Sequence, residues 1–346
     1  MDPAGMSGAR DGGPTGNGPA RGERRDAWSR YWAQGAPHSC VGSYGDCYGG
    51  AIAAFWRDAF GRLPGAARVL DIATGNGALP RLLLQHTGLR DLRCDAVDIA
   101  SIQPSWLAKA SPADQARVSF LGGVDAAELP FADHSFDLVV SQYGLEYTAL
   151  QRSVPELLRV RAPRGAIALV LHHAQGRPAA LAAIEIEHLG WLLDEGSLFE
   201  AGAALVAPMV LAATALGRAS LQRQPQADAA RERFNALLAE LASRTAAGDG
   251  ADVLFEAREA VMAVLAGAGR NGVARTSASL SRLRDEYADS ATRLRDLQAH
   301  ALGPDRAFAL RDQLAAALGA PVSLTALNEK GHLMGWTIRA PAAPSD

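Results

Sequence analysis

Between Arg68 and His173, short apolar runs rich in β-branched residues (RVLDIA, RCDAVDI, RVSFLG, FDLVVS and GAIALVL) alternate with stretches whose apolar residues recur every three or four positions. That alternation predicts βαβ units around a parallel sheet, an α/β fold. From about Ala174 onward the strand pattern stops. Helical spacing then runs through AALAAIEIEHLGWLL, ERFNALLAELA, ADVLFEAREAVMAVLA and SLSRLRDEYADSATRLRDLQAHAL, which predicts a helical insertion over 176–319. PVSLTAL and LMGWTIRA flank a polar turn at Asn328 to His332 and read as a closing β-hairpin over 320–340.

The N-terminal part has two characters. Residues 1–25 are mostly glycine, proline and charge, with little to bury, and predict a disordered tail. Residues 26–65 concentrate aromatics (Trp28, Tyr31, Trp32, Tyr44, Tyr48, Phe55, Trp56 and Phe60) and predict a helical lid packed on something else. The uncharged stretch from Ala201 to Gly217 is alanine-rich and contains Pro208, so it predicts a buried helix rather than a membrane span.

Composition removes several function classes. A net charge of −3 and a pI near 6.3 provide no field to gather nucleic acid or an anionic membrane, so neither is an expected partner. Cys40, Cys47 and Cys94 are too few and scattered for a disulfide framework, which points to a reducing cytoplasm. His38 with Cys40 and Cys47 matches no zinc spacing, and no metal is expected.

The chemistry starts at VLDIATGNGALP, residues 69–80. A dinucleotide fingerprint places a third glycine where this chain has Pro80, and Asp71 leading into the turn would repel a pyrophosphate while attracting an ammonium group. The ligand should therefore carry a cation and no phosphate. S-adenosylmethionine (SAM) meets that description, and Asp98, at the end of the second strand, offers an acceptor for its ribose hydroxyls.

With DAAELPFADHSFDLVVS, which carries Asp125 after the third strand and leads into the fourth, the sequence resembles the class I SAM-dependent methyltransferases of the small-molecule branch (type 11 or 25) over about 66–175. The resemblance implies a Rossmann-like seven-stranded sheet, mostly parallel with an antiparallel last strand and helices on both faces, with the closing hairpin completing it. The family's D-x-G-x-G-x-G turn maps onto Asp71, Ala73, Gly75 and Gly77, with Ala73 replacing the first glycine and placing a β-carbon near the methionine moiety. The same resemblance implies Asp98 and Ile99 at the ribose, Asp125 and Ala126 at the adenine, and Ser141 and Gln142 as further cofactor contacts.

Methyl transfer rests mainly on alignment and exclusion of water, with a base needed only where the acceptor must lose a proton. His172 and His173 end the fifth strand and are the candidate bases; strand alternation lets at most one face the methyl group. Tyr143 and Glu146 follow the fourth strand, and with Tyr31, Trp32 and His38 from the lid they are the candidate acceptor contacts. The fourth strand ends in SQYG rather than the Asn/Asp-Pro-Pro-aromatic motif of nucleic-acid amino methylation, so the expected acceptor is a small molecule methylated at O or N. Three alternatives stay open: a protein methyltransferase docking its substrate on the helical block, a non-catalytic SAM-binding protein and, more distantly, a nicotinamide oxidoreductase. The block is expected to serve as a substrate roof, a homodimer interface, or both.

Overall fold

One seven-stranded sheet organises the chain in the computed structural model, which describes residues 19–39, 48–87, 91–245 and 250–342. Its strands are β1 (Arg68–Ile72), β2 (Arg93–Asp98), β3 (Val118–Gly122), β4 (Phe136–Gln142), β5 (Arg161–His172), β6 (Ser323–Glu329) and β7 (His332–Ala340), in the order β3-β2-β1-β4-β5-β7-β6. β1 to β5 pair in parallel and β7 runs antiparallel to both β5 and β6. This is the α/β, Rossmann-like class expected from the sequence.

Central strands covered on both faces read as unbroken apolar runs, which is why FDLVVSQ and GAIALVLH are almost wholly buried. Alternate residues feed two cores. Leu70, Ile72, Val139, Ile167 and Leu169 point to one face, whereas Val69, Leu138, Val140, Ala168 and Val170 point to the other. Strand order reverses between β1 and β4, so successive crossovers leave in opposite directions and open a crevice at the C-terminal ends of the strands.

Helix α1 (Arg21–Ala33) begins inside the segment expected to be a disordered tail, so that expectation is corrected for residues 21–25; residues 1–18 lie outside the described ones. Its glutamate, arginine and indole side chains have partners on a distant helix, and these contacts give the segment the order its composition does not suggest. Helices α2 (Gly50–Phe60) and α3 (Ala78–Thr87) cover one face of the sheet, with Trp56 and Phe60 fully buried. The short α4 (Pro112–Gln115) leads into β3, and α5 (Leu150–Val160) packs Val154, Leu157 and Val160 on the other face.

The helical block holds α6 (Arg177–Leu193), α7 (Leu198–Ala212), α8 (Ala215–Leu221), α9 (Pro225–Thr245), α10 (Asp252–Ala266) and α11 (Ala268–His300). It has a core of its own, built on residues such as Leu192, Phe199, Phe234, Leu254, Val261 and Leu280. The apolar stretch from Ala201 to Gly217 is divided at Thr214, whose hydroxyl caps α8; Leu198, Phe199, Leu205 and Val206 of α7 face that core. Helix α12 (Pro304–Leu318) departs from the expected boundary at 319. Its Ala307, Leu310 and Leu314 belong to the core beneath the sheet with Trp336 and Ile338, so the insertion ends before α12. Helical periodicity says that a face is buried without saying against which core.

Leu254 is fully buried in the block's core. Replacing it by alanine is expected to cost about 2–5 kcal/mol, through lost transfer free energy and the cavity left behind. Equilibrium urea unfolding of the variant beside the wild type measures this.

Candidate active site

The C-terminal ends of β1, β2 and β4 and the loop after β3 meet at one cavity of about 210 Å³, lined by Asp71, Ala73, Thr74, Asp98, Ile99, Asp125, Ala126, Gln142 and Tyr143 among others. Its roof is α1, which contributes Arg21, Arg24, Arg25, Trp28 and Trp32; Asp296 of α11 also lines it.

Asp71 is 1% exposed. Thr74 Oγ1 donates to its Oδ2 at 2.6 Å, while its Oδ1 is buried without a hydrogen-bond partner. Burial, with a smaller contribution from the charge of Asp98, pushes the Asp71 carboxyl up to about 8. Asp98 accepts the Gly75 N–H at Oδ2 and the Ala100 N–H at Oδ1, each at 2.8 Å; burial outweighs both bonds and raises it to about 6. Burial also works to raise Asp125, but there the Ala127 N–H and the Arg21 guanidinium win and hold it below the usual carboxylate range. Two buried carboxylates at neighbouring strand ends, one with an unpartnered oxygen, form a site for a cation with hydroxyl groups.

The turn that carries these acids is held in left-handed backbone. Ala73 has φ 57°, and Gly75 and Gly77 have φ 55° and 79°. A side chain at Gly75 would meet the Trp32 indole at 2.5 Å, so the glycine lets α1 lie directly on the turn. Ala73 keeps its β-carbon because Gly144 opposite has none: a Cβ there would come within 2.5 Å of it. Asn76 fixes the roof from below, its amide donating to the carbonyls of Trp32 (2.9 Å) and Ala36 (2.8 Å).

Several residues named from the sequence sit elsewhere than expected. Ser141 is fully buried behind the cavity, its hydroxyl donating to the Ile72 carbonyl (2.8 Å) and accepting the Leu145 N–H (3.0 Å), so it buttresses β1. Neither candidate base lines the cavity. His172 lies flat against Tyr143 at 4.1 Å, and its Nδ1 and backbone N–H both meet Glu146 Oε1, at 2.8 and 2.7 Å. Glu146, expected at the acceptor, is thereby buried in that pair. His173 points the opposite way, stacks on Trp336 at 4.3 Å and accepts the Gln175 N–H at Nδ1; burial lowers its pKa. Tyr31 also turns away, its hydroxyl donating to the His38 carbonyl and its ring lying under the Arg293 guanidinium at 4.3 Å. Trp32, His38 and Tyr143 do line the cavity, and His38 stacks on Tyr48 at 4.3 Å. Cys40 and Cys47 lie outside the described residues.

Other groups at the site carried no sequence signal. Asp296 accepts from Arg24 Nη1 (2.8 Å) and Trp28 Nε1 (3.1 Å) and pairs with His300 Nδ1 (2.9 Å). Burial works to raise it, but His300 and Arg24 lower it overall. Trp56 Nε1 donates to the Gln142 side-chain oxygen. Helical spacing of Trp28 with Trp32 marks a shared face, but nothing local pairs either with residue 296.

Residues 69–165 match the family described as methyltransferase domain. This sheet domain is a class I methyltransferase domain. Over 116 residues it is 37% identical to the demethylmenaquinone methyltransferase of Beutenbergia cavernae, a match covering 32% of this chain and 44% of that protein. Over 135 residues it is 33% identical to the ubiquinone/menaquinone biosynthesis C-methyltransferase of Dinoroseobacter shibae, covering 38% of this chain and 53% of the other. The chain thus spans about half the length of the curated relatives it matches or less. Among solved structures it aligns with a complex of the Haloferax volcanii Trm112 methyltransferase activator and a methyltransferase, at TM-score 0.34 and 25% identity, over 43% of this chain and 62% of that one.

The buried acids of the methyltransferase domain set a pH dependence. The unfolded chain releases the Asp71 proton near the ordinary 3.8, whereas the folded, ligand-free chain holds it to about 8. The stability tied to that proton is fully present below the unfolded value and is lost as pH rises through the folded one. Melting midpoints of the ligand-free chain are expected to fall between pH 5 and pH 8, and Asp71→Asn is expected to flatten that slope.

Proposed function

We propose that the chain is a SAM-dependent methyltransferase acting on a small-molecule acceptor at O or N. The observation that carries this reading is Asp71 Oδ1, a buried carboxylate oxygen without a partner in the wall of the cavity. An ammonium group there would satisfy it and restore its ionised form, which a phosphate could not do. SAM, when bound, supplies an electrophilic methyl on a sulfonium.

The residues present fit that group. Asp71 would hold the amino group, with Thr74 steering the carboxylate. Asp98 has both oxygens oriented by backbone N–H groups and keeps lone pairs free for two ribose hydroxyls. Asp125 and Ala126 would border the adenine, with Arg21 lying across that end of the cavity. Trp28 and Trp32 cover the site and exclude water, which matters because a sulfonium and its nucleophile react fastest when desolvated and aligned. His38, flat on Tyr48 in the wall, is the imidazole placed to take a proton from an acceptor that must lose one. The small-molecule reading is supported by the roofed cavity of about 210 Å³ and by the relatives named as demethylmenaquinone and ubiquinone/menaquinone methyltransferases.

Calorimetry of the purified chain with S-adenosylhomocysteine and NADH side by side tests the cofactor. Binding of the first and not the second is expected, and the reverse would overturn the reading. Asp98→Ala is expected to weaken S-adenosylhomocysteine by about 1.5–3 kcal/mol, the contribution of charge-assisted hydrogen bonds, with the same titration as the check.

A further inference from the structure

Two corners of the helical block meet at the end of α11 opposite the cavity. One joins α7 to α8, where the Thr214 hydroxyl accepts the Gly217 N–H and turns the chain. The other joins α10 to α11 across Gly267 and bends again at Gly272, which has φ 75°. Gly269 lies so close to Ala213 that a Cβ on it would stand 3.0 Å from the Ala213 methyl, and the two corners therefore share one surface. Asp296, at the cavity, is about 35 Å away along α11.

Aliphatic side chains project from this surface instead of packing beneath it. Leu216, in the first turn of α8, is 83% exposed, and Leu211 and Val273 are exposed to either side of the Ala213 contact. Ala213, Ala215 and Ala219 between them are exposed too. The stretch expected to be a buried helix is thus buried only at its start, where Leu205 and Val206 face the block's core. A single exposed leucine needs no explanation, but a group of them at one corner marks a contact surface.

The charge at this corner has one sign. Residues 201–227 contain Arg218 and Arg223 and no acid, and residues 260–284 contain Arg270 and Arg275 and no acid. All four arginines are exposed, and no acid pairs with them among the described residues. The flanking acids are engaged elsewhere, Asp228 with Arg231 and Glu259 with Arg258. The whole-chain charge of −3, which argues against a membrane partner, averages this asymmetry away.

A projecting leucine enters the fluid boundary of a bilayer without needing a shaped pocket, while arginines keep their guanidinium groups at the level of the phosphates. A second copy fits poorly, because a two-fold contact sets the patch against itself and brings arginine onto arginine. Protein partners are usually gripped by aromatic anchors, and residues 201–227 and 260–284 contain no aromatic residue. We propose that this corner docks on an anionic lipid surface, with Leu216 entering the acyl boundary and Arg218, Arg223, Arg270 and Arg275 meeting the headgroup phosphates. Docking here is independent of what the cavity binds.

The full chain is floated with vesicles of equal parts phosphatidylcholine and phosphatidylglycerol and, separately, with vesicles of phosphatidylcholine alone. It is expected to partition onto the anionic vesicles about tenfold more strongly or better, and to lose that preference at high salt. Arg270→Gln combined with Arg275→Gln should weaken the anionic partition about 25-fold, at about fivefold for each arginine. Leu216→Ser should weaken it about tenfold through lost apolar burial. These side chains are exposed, so folding is not at stake, and melting midpoints equal to the wild type verify that. Equal binding to the two vesicles, or anionic binding that survives both variants, would overturn the proposal. Light scattering identifies the other occupants. A dimer that Leu216→Ser disperses would assign the surface to a second copy, a monomer that binds neither vesicle would leave it to an acidic protein, and either result overturns docking on lipid.

Discussion

Asp296 holds the site together. Its carboxylate takes the Arg24 guanidinium and the Trp28 indole N–H on the roof helix and pairs with His300 on its own helix, so one buried group joins α1, the helical block and the mouth of the sheet. A buried acid is tolerated only where such partners meet its lone pairs, and the partners here come from opposite ends of the chain. Arg30 with Asp289 and Thr292 with Glu23 run along the same interface and fix the register of the two helices. The block is thus the buttress that keeps a short, highly charged helix lying over the crevice.

Beneath that roof the domain accepts strain to bring backbone and acids close. Ala73 and Tyr143, neither of them glycine, have φ of 57° and 50° on facing turns, a conformation that costs on the order of 1–3 kcal/mol where the surroundings must impose it. The surroundings do so through Gly144, which leaves room for the Ala73 methyl, and through the Tyr143 hydroxyl, which donates to the Met334 carbonyl on β7. The hairpin that closes the sheet therefore also fixes the residue following β4. A sequence in which alanine replaces the expected glycine keeps the turn because its neighbour across the crevice is glycine.

The parts legible in the sequence were those in which one local rule decided the outcome. Unbroken apolar runs gave the central strands, and acids at or just past their C-terminal ends gave Asp71, Asp98 and Asp125, because strand ends on a parallel sheet converge whatever the rest does. Alternation also separated His172 from His173 correctly, but it assigns a face without saying what occupies it: Glu146 and Trp336 had already claimed those faces. Ser141 failed for a similar reason, since a hydroxyl at a strand end can turn to the neighbouring strand's carbonyl as readily as to a ligand. Asp296 was out of reach altogether. Nothing within its helix distinguishes it from Asp285 or Asp289, and only the fold brings Trp28 to it.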